Sequence, residues 1–402
     1  MTGVAAGRNW HRRLNTTSIL RHINATRCLR LLRRPEPMSR SELARELGLT
    51  RTTVGNAVKV LLDADLVFEP AGLAETARVG RPSVGVSLKA TGAYFVGLDI
   101  STTTLTAVLI DFTMAAVAEF AVPIGPDVRD VEAVTDRLAA LATRAIRAAG
   151  TGREKVRGIG VSIPGLVGRD GHVAIAPFLE WRNVDLKMLL TARLGTDLKI
   201  RLCNDAVALA SAVCSSADEA DTRDMLLILM SEGIGSAIVR QGRVVDGFSG
   251  YAGEIGQMIM APSCTGGARQ TFQLLAGHRF FSSFLAKDRP VEAAILDLSR
   301  RVNEPAGFGD ALDMWADRLA AGFLNAIRLL DPERIVLGGP LAVLYPRVAT
   351  QVGSILGEAM GGLRVPPVTV SRYGAEGAAI GAAAMIREDL FAIPELGEAG
   401  AP

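Results

Sequence analysis

Two similar sets of apolar strands, each accompanied by a long helix, are the feature that most restricts how this 402-residue chain can fold. The first set has strand patterns at 94–100, 104–111, 115–122 and 156–165, with a helix near 128–149. The second has strand patterns at 225–230, 235–242 and 334–339, with a helix around 308–330. Strands that alternate with crossover helices predict an α/β fold, and two such sets predict two lobes with a cleft between them.

The first 90 residues follow a different pattern, in which two short helices are joined by a tight turn. Ser39 is placed to cap the first helix, with Glu42 three residues later as its capping-box partner. Gly48 suits the left-handed turn that follows, and Thr50 is placed to cap the second helix. One side of that second helix is apolar and the other is small and polar, which is the layout of a helix-turn-helix.

The polar side of the second helix carries the side chains that we expect to contact DNA. Small residues let a helix enter the major groove, Thr and Asn bond to base edges, and Arg and Lys neutralise phosphates. An upstream helix within 18–34 completes the bundle, and strands at 66–70 and 83–90 predict a wing. The predicted DNA-binding residues are Arg51, Thr52, Thr53, Asn56 and Lys59 on the helix, and Arg78 and Arg81 on the wing. The alternative is a helical protein-interaction module with a solvated basic face.

Charge is divided unevenly along the chain. Residues 1–90 contain 15 Lys and Arg against 7 Asp and Glu, a net charge of +8, whereas the remainder contains 29 against 35, a net charge of −6. A basic head on an acidic body indicates that only the head meets a polyanion. We expect a cytoplasmic protein without a membrane partner, because no apolar run reaches about 18 residues, no secretory signal is present and the four cysteines are scattered.

A series of short motifs runs through the body in a defined order: GLDISTTTLT, VSIPGLV, WRNVDL, CNDAVALA, EGIGSAIVRQGRVVDG, GYAGEIGQ, RIVLGG and EGAAIGAA. Their order resembles that of the ROK family, whose name joins repressors, open reading frames and sugar kinases. The head, including GRP at 80–82, resembles the winged-helix repressors of that family. The resemblance covers nearly the whole chain. It implies a winged helix-turn-helix domain in residues 1–90 and a two-lobed, actin-like and ribonuclease-H-like domain in residues 91–402.

The resemblance also implies a sugar pocket with altered chemistry. Asn204, Asp205 and Glu254 match family positions that contact sugar hydroxyls, and Asp205 matches the general base of the kinases. The predicted ligand-binding residues are these three together with Gly165, with Phe178 in place of an Asn, and with Gln257 and Gln273 in place of a His and a Glu. A changed ligand, such as a modified sugar, is the favoured interpretation. A satisfied interior polar cluster is the alternative, and helix capping is a second role open to Asp205.

Both phosphate loops depart from the pattern of the family kinases. Ser101 and Thr102 stand where glycines let backbone amides approach the phosphates. Glu232 stands in the second loop, where its charge would repel ATP at a cost of several kcal/mol in a partly buried cleft. We therefore expect neither ATP with Mg²⁺ as a cofactor nor kinase activity, and Asp205 is interpreted as a relic of the catalytic base.

The metal motif of the family is also incomplete. Gln257 replaces a histidine ligand, and Gly266 and Thr271 stand where two of the thiolates are expected, which leaves Cys264. One thiol cannot form a tetrahedral structural zinc site, so we expect no zinc.

Together these features indicate a sugar-responsive transcriptional regulator, which we expect to be a repressor, with a basic DNA-binding head joined to a kinase-like cleft. The expected partners are operator DNA and a small carbohydrate-like effector, and the expected assembly is a homodimer or homotetramer, since paired half-sites match two-fold symmetry. Two alternatives remain open at this point: an ATP-dependent sugar kinase that retains a DNA-binding domain, and a constitutive DNA-binding scaffold with an inactive cleft.

Overall fold

The computed structural model describes residues 16–70, 85–195, 197–216, 224–261, 269–286, 288–301 and 305–392. The N-terminal part, the head, is a bundle of three helices with a small antiparallel sheet in which β3 lies between β1 and β2. Its elements are α1 (Thr16–Leu31), β1 (Met38–Ser39), α2 (Arg40–Leu47), α3 (Arg51–Asp63), β2 (Val67–Phe68) and β3 (Gly85–Leu88). The helix-turn-helix and the two strands that flank the wing are confirmed, and the loop at 71–84 lies outside the described residues.

The helix ends of the head form as their sequence predicts. Ser39 and Glu42 make the reciprocal capping box, with N···O distances of 2.7 and 3.2 Å. Gly48 ends α2 in the left-handed conformation at φ 63°, and the Thr50 hydroxyl accepts a hydrogen bond from the Thr53 amide at 3.1 Å. These caps satisfy the backbone donors that a helix end leaves unpaired, so they fix the angle at which α3 leaves the turn.

The first lobe of the body is built on a five-stranded sheet in the order β6-β5-β4-β7-β11. Its strands are β4 (Tyr94–Ile100), β5 (Thr104–Asp111), β6 (Ala116–Pro123), β7 (Val156–Ile163) and β11 (Lys199–Asn204); β8 (Leu166–Val167), β9 (Val173–Ala176) and β10 (Trp181–Val184) form a smaller sheet. The helices are α4 (Val131–Ala148), α5 (Leu186–Leu194) and α6 (Asp205–Ser215). Apolar residues of α4 and α5 pack in one core with the sheet.

The second lobe repeats this sheet in the order β14-β13-β12-β17-β18, again with three antiparallel strands followed by parallel ones. Its strands are β12 (Met225–Met230), β13 (Ile234–Arg240), β14 (Arg243–Val244), β15 (Ile259–Ala261), β16 (Gln270–Thr271), β17 (Arg334–Gly338) and β18 (Val368–Val370). The helices are α7 (Phe272–Ala276), α8 (Val291–Arg300), α9 (Phe308–Leu330), α10 (Ala349–Met360) and α11 (Gly377–Phe391). The repeated order confirms the predicted two-lobed fold. Within the described ranges, no helix is long and apolar enough to cross a bilayer.

Two helices, α6 and α11, occupy the centre of the body. α11 contacts β4 and β7 of the first lobe, while α6 contacts α11 on one side and β12 and β13 of the second lobe on the other. A Cβ at Gly381 would overlap the Ala208 carbonyl oxygen, and one at Gly97 would overlap that of Ala379. Only glycine allows these backbones to approach so closely. The lobes are therefore joined through a tightly packed pair of helices.

The head is packed directly onto the body. Leu29 and Val58 of the head lie in the same buried cluster as Phe95, Ile110 and Phe391 of the body. Ion pairs reinforce this boundary, since the ammonium of Lys155 lies 2.7 Å from a carboxylate oxygen of Asp65. The division at residue 90 stays a prediction, but a shared core means that the head cannot tumble freely on a linker.

Substitution of Gly381 tests the central helix contact. Gly381→Ala forces α6 and α11 apart, so we expect a loss of about 1–3 kcal/mol in the free energy of unfolding, as for overpacked cores. Gly353→Ala is the matched control, because a Cβ there meets no atom within 4 Å in the middle of α10. That variant should gain roughly 0.5–1 kcal/mol from helix propensity. Chemical denaturation measures both, and equal effects would contradict the packing argument.

Candidate functional site

The outer face of α3 has the exposure that DNA contact requires. Arg51, Thr52, Asn56 and Lys59 are all exposed, whereas the opposite side of the helix is buried in the head. Thr53 is half-buried, and its hydroxyl lies 2.9 Å from that of Thr50, so it belongs to the helix cap more than to the open face. The exposed face is therefore small, polar and basic, as sequence patterning predicted.

The fold of the head supports this face from behind. Val54, Val58 and Leu61 of α3 are fully buried among the other helices. The guanidinium of Arg27 in α1 donates to the carbonyl oxygen of Leu47 at the end of α2, at 3.0 Å. These contacts hold α3 at a fixed angle with its polar side outward. Arg78 and Arg81, predicted on the wing, lie outside the described residues and stay predictions.

Asn204 and Gly165 meet at the edge of the first-lobe sheet. The Asn204 amide donates to the Gly165 carbonyl oxygen at 3.0 Å, while its side-chain oxygen accepts from the Ala206 amide at 2.9 Å. Asn204 is therefore the cap of α6, and Asp205 is the first helical residue. The suggestion that Asp205 is the cap is wrong by one position, because the backbone of Asn204 is extended and the helix begins at Asp205, although the Asp205 carboxylate also accepts from the Ala206 amide at 2.9 Å. Both side chains thus stand at the carboxyl end of β11.

Three carboxylates gather around the N-terminus of α6. Burial raises the pKa of Asp205 to about 7, and the neighbouring Glu254 adds to the effect. Burial also raises the pKa of Asp99 to about 7, with a contribution from the charge of Asp205. The pKa of Glu254 is raised as well, through partial burial. A cluster of this kind accepts hydrogen bonds from hydroxyl groups but repels anions.

Asp99 is the member of this cluster that sequence analysis missed as a site residue. It lies at the end of β4, opposite Ser162 of the parallel strand β7, and is 5 % exposed. The carboxyl ends of adjacent parallel strands meet at one edge of a sheet, which is where α/β proteins bind ligands. The pairing of β4 with β7 is the signal that would have identified it.

The turn between β12 and β13 brings residues of several elements together. Gln273 accepts a hydrogen bond from the Ile234 amide at 3.2 Å through its side-chain oxygen. A Cβ built on Gly233 would lie 2.9 Å from that oxygen and 3.6 Å from the Phe178 ring. One built on Gly235 would lie 3.7 Å from a carboxylate oxygen of Asp205. The glycines therefore place Phe178, Gln273 and Asp205 along one turn at the cleft.

The loop that corresponds to the first phosphate loop of the family kinases is closed by the side chain of Ser101. The Ser101 hydroxyl accepts from the amides of Thr103 at 3.2 Å and Thr104 at 2.9 Å. The Ser101 amide in turn donates to the Thr104 carbonyl oxygen at 2.9 Å, which makes a tight strand turn. Amides that a phosphate group would need are therefore already paired within the loop. The Ile234 amide of the second loop is likewise occupied by Gln273.

Gln257 lies close to Glu254 along the chain, and its part in ligand binding stays a prediction. Gln257 is exposed, as Glu254 and Phe178 also are. Gln257 ends the short helical turn Ile255–Gln257 that follows Glu254. Thr271, predicted in place of a zinc thiolate, caps α7 through a bond from the Leu274 amide. Cys264 and Gly266 lie outside the described residues.

Residues 95–389 match the family model described as the ROK family. The chain belongs to the ROK family. Residues 19–67 match a second model, described as a helix-turn-helix domain, which coincides with the bundle of the head. Both matches confirm the resemblance inferred from the ordered motifs.

The chain is similar both to ROK repressors and to ROK sugar kinases. The chain is 25 % identical over 342 residues to the xylose repressor of Bacillus spizizenii, covering 84 % of this chain and 87 % of the repressor. The crystal structure of a ROK family transcriptional regulator, a homologue of the E. coli Mlc protein, superimposes with a TM-score of 0.72 at 24 % identity, covering 93 % and 97 % of the two chains. A ROK hexokinase from Thermus thermophilus gives a TM-score of 0.58 at 26 % identity, covering 72 % and 97 %.

The pH dependence of stability tests the burial of Asp99. Because its folded-state pKa, about 7, is above the ordinary value near 3.8, the folded protein binds more protons between these values, and stability falls as pH rises. Asp99→Asn removes this term. As pH rises from 5 to 7, the free energy of unfolding of the variant should therefore increase relative to that of the wild type, by up to about 1.4 kcal/mol per pH unit.

Denaturant titrations at pH 5, 6, 7 and 8 measure this gain. Asp317→Asn is the control, since it removes an exposed carboxylate of α9 and should leave the slope with pH unchanged. A slope for Asp99→Asn equal to that of the wild type would show that the carboxylate is not buried as described.

Proposed function

We propose that this ROK protein is a transcriptional repressor that binds operator DNA through its head and a small carbohydrate-like effector in its cleft. The observation that carries the proposal is the exposed basic and polar face of α3 on a head that matches a helix-turn-helix model. The xylose repressors, which align along most of the chain, support it. Such a protein acts in the cytoplasm, in the compartment that holds the operator.

The geometry of α3 suits the major groove of DNA. A Cβ built on Gly55 would meet no atom within 4 Å, and Thr52 and Asn56 stand next to it on the exposed face. A helix without bulky side chains enters the groove deeply enough for Asn to bond to base edges, while Arg51 and Lys59 neutralise phosphates. Two copies of the head in a homodimer or homotetramer would read paired half-sites.

The cleft suits a polyhydroxylated ligand. The Asp205 and Glu254 carboxylates accept hydrogen bonds from hydroxyls, and the Asn204 amide both donates and accepts. Phe178 is 38 % exposed beside Gly233, where its ring offers an apolar surface to one face of a sugar. Because several relatives are named xylose repressors, D-xylose is the first effector to test.

The same cleft does not suit ATP. In the first loop, the Ser101 hydroxyl accepts hydrogen bonds from the backbone amides of Thr103 and Thr104. In the second loop, the side-chain oxygen of Gln273 accepts one from the backbone amide of Ile234. Glu232 adds a carboxylate to that second loop, so its charge opposes a triphosphate. These residues do not fit a nucleotide with Mg²⁺, and the replaced ligand positions do not fit zinc. We therefore propose that the protein is not a kinase and needs neither cofactor.

Substitutions on α3 test the DNA interface. Lys59→Ala should weaken binding to all sequences alike and reduce the logarithmic salt slope by about 1, because one phosphate contact is lost. Asn56→Ala should relax sequence selectivity, at a cost of about 1–3 kcal/mol on the preferred site. Lys187→Ala, on the exposed side of α5, is the control. Gel-shift titrations with fragments of the protein's own promoter measure each effect, and the absence of any salt-sensitive, selective shift would refute the proposal.

Thermal unfolding in the presence of sugars tests the effector site. A sugar at a hundredfold excess over its Kd should add roughly 2.7 kcal/mol of stability. Asp205→Asn should weaken that sugar at least tenfold, because a hydrogen-bonded carboxylate is lost, whereas Asp170→Asn on an outer loop should not. A library of pentoses, hexoses and amino sugars without any shift would favour a constitutive DNA-binding scaffold.

A coupled assay of ADP release separates the repressor from a sugar kinase. Asp205 at the cleft is the observation that favours the kinase, since a carboxylate is the right general base for a sugar hydroxyl. We expect no turnover with ATP and the same sugars, because the phosphate loops are closed. Turnover at ordinary kinase rates that disappears in Asp205→Asn would overturn this part of the proposal.

A further inference from the structure

One helix runs from the cleft to the boundary with the head. The first turn of α6 holds Asn204 as its cap and Asp205 as its first residue, both at the proposed effector site. Its last residue, Ser215, lies next to the C-terminal end of α11, where its hydroxyl donates to a carboxylate oxygen of Glu388 at 3.1 Å. A displacement of the N-terminus of α6 therefore reaches the end of α11 along a single rigid element.

The two helices α6 and α11 are locked together over their length. The backbones meet at Gly381, whose missing Cβ would overlap the Ala208 carbonyl oxygen. The phenol of Tyr373, just before α11, donates to the Ala212 carbonyl oxygen of α6 at 3.2 Å. A Cβ on Gly377 would lie 2.8 Å from the Leu209 side chain. Close-packed interfaces of this kind shift as a unit and do not deform gradually.

The end of α11 is joined to the first helix of the head. Glu388 forms an ion pair with Arg33, just beyond α1. The guanidinium of Arg30 donates to the Phe391 carbonyl oxygen at 2.7 Å, and that of Arg33 stacks 4.5 Å from the centre of the Phe391 ring. Because α1 packs against α3, a movement of α1 changes the position of the DNA-binding face. The Glu388 carboxylate thus bonds both to α6 and to the head.

We propose that α6 and α11 move as one body when an effector binds, and that Glu388 carries this movement to the head by joining Ser215 to Arg33. The inference rests on the proposed function, because it assigns the route by which the effector changes DNA affinity. Glu388 takes no part in either binding site. Its partly exposed ion pair contributes little to overall stability, so loss of the carboxylate separates coupling from folding.

Glu388→Gln is the test, with operator affinity measured in the absence and presence of saturating D-xylose, D-glucose or N-acetyl-D-glucosamine. The ratio of the two Kd values is the coupling factor. In Glu388→Gln the operator Kd without sugar and the sugar Kd without DNA should each stay within about threefold of the wild type, while the coupling factor falls at least fivefold towards 1. Ser215→Ala, which removes the other half of the junction, should change the coupling factor in the same direction.

Asp389→Asn is the matched control. Asp389 is the neighbouring acid on α11, but it pairs with Lys199 and Arg201 of β11, inside the first lobe. Its loss should leave the coupling factor within twofold of the wild type. Equal losses of coupling in Glu388→Gln and Asp389→Asn would overturn the relay, because they would point to a general disturbance of the helix end.

The two proposals fail in different ways. If a sugar changes the operator affinity of the wild type and of Glu388→Gln by the same factor, the relay is wrong and the repressor function stands. If none of the sugars changes the operator affinity of the wild type, effector control itself is wrong, and the relay falls with it.

Discussion

The close approach of α6 and α11 is the contact on which the rest of the molecule depends. Gly381 brings the two backbones together, and Gly97 brings α11 onto the first-lobe sheet. α11 comes from the end of the chain, yet Phe391 near its last turn lies in one core with Leu29 of the head. The two ends of the chain therefore have to fold together, and the head packs against the helix pair that separates the lobes.

The chemistry of the cleft follows from its electrostatics. Asp99, Asp205 and Glu254 place three carboxylates near one helix end, and burial opposes their ionisation. Such a site favours neutral ligands rich in hydroxyl groups, because each hydroxyl donates a bond without adding negative charge. The hydroxyl oxygen of Ser101 and the side-chain carbonyl oxygen of Gln273 accept from backbone N–H groups that would otherwise be free to bind an anion. The sheet and helices of a phosphotransferase are thus compatible with a binding site that disfavours phosphate.

Local signals in the sequence predicted the head well. The capping box of Ser39, the left-handed Gly48 and the cap at Thr50 depend on neighbouring residues alone, so the sequence contains all that determines them. The strands and the helix at 308–330 were likewise recovered from apolar runs. The cleft was predicted less completely, since Asp99 joins it only through the pairing of β4 with β7. This pairing depends on tertiary geometry, which periodicity does not encode.

The junction at Glu388 shows why coupling and stability need not reside in the same contacts. Buried apolar cores hold the head and the lobes together. Their contribution to the free energy of unfolding far exceeds that of any one exposed ion pair. Coupling between two ligands, in contrast, typically amounts to only 1–3 kcal/mol, so a single hydrogen-bonded carboxylate is large enough to decide it. A hydrogen-bonded carboxylate between two rigid bodies passes a shift of one to the other. The placement of Glu388 between Ser215 and Arg33 thus suits a switch better than a more deeply buried contact would.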